Sequence, residues 1–375
     1  MKILPPSKSL LQFRLSWLMV VVTIASMGFA FVAQQLTRAR NVRQAVDEVR
    51  KAGGEVFLTE RDSLIAKVSD LLGEDLGAGV TEVRFQGTES VMRPNLAPLA
   101  HFSELKCLTF YNADIRDEDM VHLSELRQIE QLEITGEQLT NAGLRHIEKM
   151  TRLVSLLSID CPRIDDDGLA SLSGFHRLIQ LDLSRTRISG RGLQYLHGLS
   201  SLLALDLSYT QLDDVHVHEV TKFVKLERLE LAGTRITSKG LSDLTMLSNI
   251  KSLRLDDTKI DDEGLVYIGK FPNLEQLFLC RTSIGDVALA KLRNTTHLQS
   301  LDVSGCMISD KGVRRLGCLN NLSYLGLRGT QITDRSIETL ATMTMLQEID
   351  LRDTAVTDAG VEALSVALPD CHIRS

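Results

Sequence analysis

The chain has 375 residues, of which 43% are apolar and 24% charged, and its formal net charge is −7. This composition excludes an intrinsically disordered protein, and the negative charge argues against a nucleic-acid-binding protein, which needs clustered Lys and Arg. The charge is uneven, because residues 1–52 carry a net charge of +6 and the remainder about −13. An acidic body also argues against a body that lies on an anionic membrane surface.

The chain opens with a basic tail over residues 1–14, followed by residues 15–33, which contain no charged side chain. At 1.5 Å per residue this run just spans a hydrocarbon core of about 30 Å, so it predicts a transmembrane anchor. A cleaved signal peptide is the alternative, since Gly28, Phe29 and Ala30 form a small-x-small cleavage pattern. The apolar run continues past that pattern, which favours the anchor.

The two flanks of the apolar run carry nearly equal numbers of Lys and Arg. The positive-inside rule therefore leaves the orientation open, with a lean toward an extracytoplasmic body. We expect a single-pass membrane protein that contacts the membrane through residues 15–33.

Residues 34–79 are expected to form a juxtamembrane helix and an N-terminal cap. An amphipathic helical pattern ends at Gly53. Because a repeat array must close its exposed end, this segment is interpreted as a cover for the first repeat. The patterns predict a helix, a strand and a second helix over residues 36–52, 55–58 and 62–72.

From Val80 onward the chain aligns with itself at a period of 24 residues, as in LERLELAGTRITSKGLSDLTMLSN (226–249). The shared pattern is L-x-x-L-x-L-x-x-T-x-I-T/S/D-x-x-G-L-x-x-L-x-x-L, with single-residue insertions in the first and third units. Twelve matching units predict a repeat architecture rather than a domain with one central core. The units open at Val80, Leu105, Ile129, Val154, Leu178, Leu202, Leu226, Ile250, Leu274, Leu298, Leu322 and Leu346.

Each unit encodes one strand and one helix. The x-L-x-L-x segment alternates with period two, which is typical of a strand whose leucines point inward. A Thr, Ser or Asp then caps a helix, as Thr333 and Asp334 would before Ile337. Stacked units predict an α/β fold, a right-handed solenoid with a concave parallel sheet and convex helices, over residues 80–369. Residues 370–375 form the C-terminal end.

The phrase T-x-I-T-D-x-G-L, present as TQITDRSI (330–337) and TAVTDAGV (354–361), resembles the leucine-rich repeat family. Within that family it looks like the 24-residue cysteine-containing subclass used by many F-box substrate receptors. An N-terminal anchor followed by such repeats is also similar to bacterial membrane-anchored leucine-rich-repeat proteins of unassigned function, which implies a bacterial inner membrane. The adaptor role of F-box receptors is not implied, because no F-box helix cluster precedes the repeats.

Cysteine 306, in LDVSGCMISDKGV (301–313), lies at a strand-to-turn junction of the kind that often holds a nucleophile. It occupies the ninth position of its unit, where a small, weakly polar side chain fits without a chemical role. No histidine recurs nearby as a base, so a thiol-dependent enzyme is the less favoured alternative. Other units carry Thr88, Thr186, Thr210, Thr234, Thr258, Thr282, Thr330 and Thr354 at this position, and Cys161 lies within one residue of it.

Two acidic clusters lie at the turns before helices, and they lack the D-x-D-x-D-G spacing of a calcium loop. Helix capping explains them. His216 and His218 are two residues apart on a helix and point to opposite sides, so they cannot share a metal ion. We expect no catalytic residue, no metal and no cofactor. The clusters comprise Asp165, Asp166, Asp167, Asp261, Asp262 and Glu263.

The residues that flank the strand leucines face outward on the concave sheet. At the fifth position of successive units, Glu133 through Glu230 form an acidic ladder broken by Ser158, and a basic partner would relieve its repulsion. The alternative is that Asp is simply common at this repeat position. An arginine-rich and aromatic group farther along has the composition of binding hot spots. The candidate partner-binding residues are Glu133, Asp182, Asp206, Arg228, Glu230, Arg254, Phe278, Asp302, Tyr324, Arg328 and Arg352.

The sequence therefore predicts a non-enzymatic, membrane-anchored scaffold or receptor that binds a protein or peptide on its concave face. No nucleic acid and no small-molecule substrate is expected. A structural envelope protein that self-associates without a specific ligand is the alternative.

Overall fold

The computed structural model describes residues 8–59, 79–86, 93–111, 113–159 and 161–375. The helix expected over residues 62–72 lies outside these ranges, as do residues 1–7 of the basic tail and Thr88. The described residues form one long N-terminal helix and a repeat solenoid with a sheet on one side and short helices on the other.

Helix α1, Lys8–Lys51, is a single helix of 44 residues that joins the apolar run to the segment after it. It contains no proline and a single glycine, so nothing in it forces a break. Its C-terminal end packs against the first repeats, where Ala45 and Val49 are buried. The helix stops before Gly53, which has a φ of +75°, a conformation that favours glycine.

The described strands form a 14-stranded sheet in sequence order. Strand β1 pairs antiparallel with β2 and covers the N-terminal end of the array, as the sequence predicted for residues 55–58. All later pairs are parallel. The strands are β1 Gly54–Thr59, β2 Gly79–Gln86, β3 Cys107–Tyr111, β4 Gln131–Thr135, β5 Ser155–Ile159, β6 Gln180–Asp182, β7 Ala204–Asp206, β8 Arg228–Glu230, β9 Ser252–Arg254, β10 Gln276–Phe278, β11 Ser300–Asp302, β12 Tyr324–Gly326, β13 Glu348–Asp350 and β14 His372–Arg374.

The convex side is built from short helical segments, and among the described residues half of these segments are 3₁₀-helices rather than the α-helices that the repeat pattern predicted. Both kinds of segment are short, and single turns in proteins are often 3₁₀-helical. The α-helical segments are Asp117–Met120, Asn141–Leu144, Ser238–Leu244, Leu265–Ile268, Asp286–Leu289, Asp310–Leu316, Ile337–Leu340 and Asp358–Ala367. The 3₁₀ segments are Ala97–His101, Val121–Leu123, Arg145–Ile147, Asp166–Leu172, Arg191–Leu196, Val217–Lys222, Ala290–Asn294 and Asp334–Ser336.

The threonines of the ninth position close the turn after each strand. Thr210 is 5% exposed, and its hydroxyl donates to the Leu207 carbonyl at 2.7 Å. The same bond to the carbonyl three residues earlier recurs in the other described units with threonine here, which satisfies a buried polar group within each repeat. The hydroxyls belong to Thr186, Thr234, Thr258, Thr282, Thr330 and Thr354.

The acidic turns do more than cap their own helices. Asp165 accepts a hydrogen bond from the backbone of Asp167 at 3.1 Å, as capping predicts. The adjacent Asp166 instead reaches the next repeat and accepts from the backbone and hydroxyl of Ser189. The carboxylates that reach the backbone of the next repeat in this way are Asp117, Asp166, Asp214, Asp262, Asp286, Asp310 and Asp334. They join neighbouring units on the side opposite the sheet hydrogen bonds.

The fourth repeat has a different register from the one that its sequence suggested. Leu153 is fully buried and takes the opening position assigned to Val154. Leu157 therefore pairs between Glu133 and Asp182, and Ser158 does not enter that row. The extra residue of this unit follows the strand, because the buried leucines must stay aligned with those of adjacent strands.

Candidate functional site

Strand pairing brings the fifth-position residues into one continuous row across the sheet. Glu133 is separated from the other carboxylates by Leu157, so the acidic ladder consists of Asp182, Asp206 and Glu230 on β6, β7 and β8. The row then continues through Arg254, Phe278 and Asp302. Arg228 lies beside it, two residues before Glu230 on the same strand.

Two carboxylates of the ladder have no basic partner in the part of the chain that the structure describes. Asp182 accepts a hydrogen bond from the Ser184 backbone at 2.8 Å, and Asp206 accepts one from the Ser208 backbone at 2.7 Å. Burial and the charges of Asp206 and Glu230 raise the pKa of Asp182 to about 6. Burial and Asp206 likewise raise the pKa of Glu230. The ladder therefore holds negative charge at an energetic cost.

Arg254 lies where the acidic ladder meets an aromatic side chain. Its guanidinium is 2.8 Å from Asp256 and 3.3 Å from Glu230. It also stacks over the Phe278 ring, 4.2 Å from the centroid, which is a favourable cation–π geometry. The predicted neighbours Glu230, Arg254 and Phe278 thus form one contact group.

A pocket of about 210 Å³ opens beside this group. Asp206, Glu230 and Asp256 contribute carboxylates to its lining, and Tyr209 contributes an aromatic wall. Ser208 also lines it; this residue is 6% exposed, and its hydroxyl has no hydrogen-bond partner. Buried hydroxyls are nearly always satisfied, so this unpaired group beside the pocket is an exception.

The candidate residues toward the C-terminal end are engaged with carboxylates of their own chain. The Tyr324 hydroxyl donates to Asp302 at 3.1 Å. Arg328 pairs with Asp353 at 2.7 Å. These pairs neutralise the arginine-rich group that the sequence suggested as a hot spot. Arg352 pairs with Asp350, and Arg374, which the sequence did not single out, pairs with Glu348.

Cys306 is buried, as the structural interpretation of its position requires. It is 3% exposed, and its Sγ lies 3.1 Å from the Leu279 carbonyl and 3.4 Å from the Thr282 hydroxyl. Burial raises the pKa of the thiol, which disfavours the nucleophilic thiolate.

The two histidines do not converge on a shared site. His216 contacts Asp213 at 2.9 Å, whereas His218 contacts Glu219 at 3.1 Å. No group of three or more His, Cys, Asp or Glu side chains within the described ranges is arranged to hold a metal ion.

A row of left-handed residues beside the candidate site was missed by sequence reasoning. The eighth position has a positive φ in consecutive units, and Gly233, Gly305 and Gly329 meet this requirement without a Cβ. Other units place larger side chains here; Arg185 stacks on the Tyr209 ring at 5.2 Å. The glycines before threonine were the sequence signal. The non-glycine members are Arg185, Tyr209, Asp257, Arg281 and Asp353.

Three segments of the chain match the family model described as Leucine Rich repeat, over residues 247–269, 294–317 and 342–365. A search of curated proteins found no sequence match.

The fold is similar to that of solved structures at low sequence identity. An internalin from Listeria monocytogenes is 20% identical with a TM-score of 0.58, and the alignment covers 83% of this chain and 94% of the internalin. TLR13, solved in complex with ssRNA13, is 20% identical with a TM-score of 0.55 over 74% of this chain and 40% of TLR13. A leucine-rich-repeat protein from Leptospira interrogans is 16% identical with a TM-score of 0.48, covering 79% and 90% of the two chains. The three matched segments and the similarity to solved structures show that this chain has a fold like that of leucine-rich-repeat solenoids.

Proposed function

We propose that this protein is a non-enzymatic, membrane-anchored scaffold or receptor that binds a protein or peptide on its concave sheet, between β6 and β10. The observation that carries the proposal is the pair Asp182 and Asp206, which retain negative charge on the sheet without a basic partner among the described residues. A partner with complementary charge would remove the cost of keeping these carboxylates together.

The adjoining Arg254–Phe278 stack adds the arginine and aromatic character of binding hot spots. Solenoids commonly use such extended concave surfaces for recognition. Glu133, Arg228, Asp302, Tyr324, Arg328 and Arg352 would form the surroundings of this centre. The net charge of −7 supports a polypeptide partner over a nucleic acid, although TLR13, with a similar fold, was solved with ssRNA13.

We also propose that residues 15–33 anchor the protein in a bacterial inner membrane, with the solenoid on the extracytoplasmic side. The most apolar 18-residue window of Trp17–Lys51 has a mean hydropathy of 1.9, and none of it is buried. Five residues beyond this run, Arg38 donates a hydrogen bond to Ser103 of the first repeat. At 1.5 Å per residue this separation is roughly 8 Å, so the first repeat would lie close to the headgroups.

The domain plan that follows from this proposal has five parts. Residues 1–14 would be a basic tail, 15–33 the anchor, 34–79 a juxtamembrane helix and cap, 80–369 the solenoid of about twelve repeats, and 370–375 the C-terminal end. We also propose that the repeats belong to the cysteine-containing subclass. The buried Cys306 and Cys161 at turn positions support this assignment.

Site-specific photo-crosslinking in the native membrane tests the proposed function. A photoreactive residue would replace Gln180, which is exposed on β6, and a control would replace Glu338, which is exposed on the convex side. We expect one defined crosslinked polypeptide from position 180 and none from position 338. Crosslinks only between copies of this chain would instead support the self-associating envelope protein, and equal crosslinking from both positions would contradict a concave-face site.

A further inference from the structure

The pocket between β7 and β9 has a size that restricts its occupant. Its volume of about 210 Å³ lies below the roughly 300–1,000 Å³ of pockets that enclose drug-sized ligands. It is open to solvent on the concave side, where Asp206, Glu230 and Asp256 line it. One long side chain fits such a pocket, whereas a folded segment does not.

The charges around the pocket are unequal. Three carboxylates line the pocket, and Asp182 lies next to them on β6. Asp256 is paired with Arg254 at 2.8 Å, and Glu230 shares the same guanidinium at 3.3 Å. Asp206 and the adjacent Asp182 have no ion pair with any residue that the structure describes. The neighbouring Arg185 contacts the Tyr209 ring face. Arg185 and Arg254 line the pocket together with the three carboxylates, so Asp206 is the lining carboxylate that a further cation would neutralise.

An unsatisfied hydroxyl provides an observation that is independent of the acidic residues. Ser208 is 6% exposed, lines the pocket, and has an Oγ without a hydrogen-bond partner. Its counterpart Ser304 donates its hydroxyl to Asp302 at 2.5 Å. Because this oxygen is buried, it would accept a hydrogen bond from the N–H group of a ligand once the Ser208 side chain turns toward the pocket, while Asp206 supplies the charge.

The Tyr209 ring forms the wall of the pocket and is held in place by the next repeat. Tyr209 has a left-handed backbone with φ 57°, and its ring lies across Gly233, where a Cβ would be 2.4 Å from the ring. The glycine thus leaves room for the ring, and Arg185 covers one of its faces at 5.2 Å. An aromatic wall of this kind can pack against the aliphatic part of a long side chain.

Other occupants do not match these groups. An anion would face three lining carboxylates against two lining guanidiniums, and an uncharged side chain would leave the charge of Asp206 without a counter-ion. A metal ion needs at least three convergent ligands, and no such group occurs within the described ranges. An organic cation with N–H donors satisfies both the carboxylates and the serine.

We infer that this pocket receives the side chain of a lysine or arginine from the protein or peptide partner. The inference rests on the proposed function and specifies the chemistry of its central contact: the cationic group pairs with Asp206 and Glu230 and donates to Ser208, while its methylene groups pack on Tyr209. The raised pKa of Asp182 agrees with a site that lacks its counter-charge.

Fluorine NMR of the full chain in detergent, labelled with 3-fluorotyrosine, tests this inference. The five tyrosine signals are assigned through single Tyr→Phe variants, including Tyr209→Phe. The probes are N-acetyl-arginine amide, N-acetyl-lysine amide and, as the uncharged match, N-acetyl-citrulline amide. We expect the arginine or lysine amide to shift the Tyr209 signal saturably and the citrulline amide to leave it in place.

Asp206→Asn and Glu230→Gln should each lower the affinity for the arginine or lysine amide by about tenfold or more, because each removes a charge-assisted contact. Glu338→Gln, the same acid-to-amide change on the convex side, should not alter the affinity. An unshifted Tyr209 signal, or equal shifts by arginine and citrulline amides, would overturn the inference.

The crosslinking experiment separates this failure from that of the proposed function. If position 180 still crosslinks a partner while the fluorine signal of Tyr209 is not shifted by either cationic amide, the partner binds the concave face without a basic side chain in this pocket. If position 180 captures no partner while Tyr209 responds only to the cationic amides, the pocket stands and the proposed function fails.

Discussion

Both carboxylate oxygens of Asp310 bind Thr333 in the next repeat: the backbone N–H of Thr333 donates at 2.8 Å, and its hydroxyl donates at 2.8 Å. The buried Ser336 hydroxyl donates to the same carboxylate at 2.6 Å. Burial disfavours the charged form of Asp310, but the hydrogen bonds from Ser336 and Thr333 outweigh it and hold the pKa below its ordinary value. The ionised carboxylate therefore links two units.

We expect Asp310→Asn to lower the free energy of unfolding by about 1–3 kcal/mol at pH 7, because the amide replaces an acceptor with a donor. Since the folded pKa is lowered, this stabilisation is present above the ordinary value of 3.8 and is lost as the pH falls through the folded pKa. Urea unfolding at pH 7 and pH 3 measures it, with Asp370→Asn at an exposed position as control. An equally large difference at both pH values would contradict the assignment.

The inter-repeat carboxylates also explain the glycines at the third position of several helices, namely Gly240, Gly312 and Gly360. At Gly240 a Cβ would lie 2.3 Å from the Asp214 carboxylate, which accepts the Gly240 N–H at 3.1 Å. We expect Gly240→Ala to destabilise the protein by about 1–3 kcal/mol through this overlap. Gly174→Ala, where the Cβ meets nothing within 4 Å, should change stability little. Thermal unfolding of both variants measures the difference. Equal melting temperatures would exclude a role for the close approach between Gly240 and the Asp214 carboxylate.

The acidic ladder should cost stability at alkaline pH. Asp182 faces Asp206 and Glu230 on the following strands, Leu157 on the preceding strand and the Ser184 N–H in its own turn. Its folded pKa of about 6 exceeds the ordinary 3.8, so the favourable contribution of the protonated form is complete below 3.8 and lost as the pH rises through 6.

Asp182→Asn should therefore stabilise the protein by about 1–3 kcal/mol at pH 8 and by much less near pH 3.5, where the carboxyl is largely protonated in both states. Chemical denaturation at the two pH values checks this, with Glu338→Gln as the matched change outside the ladder. A variant that is less stable than the wild type at pH 8 would show that the Ser184 hydrogen bond outweighs burial and repulsion.

Cysteine reactivity should follow burial rather than position at a glycine turn. Cys318 is exposed, whereas Cys306 is buried with a raised pKa. We expect a thiol reagent to label Cys318 in the folded protein and Cys306 only after unfolding, as read by peptide mass spectrometry. Cys306→Thr restores the side chain of the neighbouring repeats, so it should change stability by less than about 1 kcal/mol. Rapid native labelling of Cys306 would revive the thiol-enzyme alternative.

The N-terminal helix should remain attached and embedded. We expect the full chain to resist alkaline carbonate extraction from membranes and to retain residues 1–30 by intact mass, because the unburied apolar window spans a bilayer. A reporter fused after Ser375 should report the extracytoplasmic side. A mature N-terminus near residue 31 would establish a cleaved signal sequence instead.

The repeat pattern was sufficient to predict the solenoid, because a strand period of two followed by a helical spacing of three recurs in every unit. It placed the strand leucines in the core and Asp206, Arg254 and Phe278 on the concave face of the sheet, as the structure has them. These predictions succeeded because local hydrophobic periodicity determines which side of a strand is buried. The same reasoning expected Cys306 to be a buried turn residue.

Contacts between repeats were decided only by the tertiary structure. Sequence alone could not show that Leu157 rather than Ser158 enters the acidic row, since an insertion can be absorbed at several points until adjacent strands fix the register. Nor could it distinguish Arg328, which has an ion pair, from Asp206, which has none with any described residue, because partners 24 or 25 residues away are chosen by side-chain geometry across strands. Periodicity determines the fold of a repeat, whereas the distances between repeats determine which charges remain available to a partner.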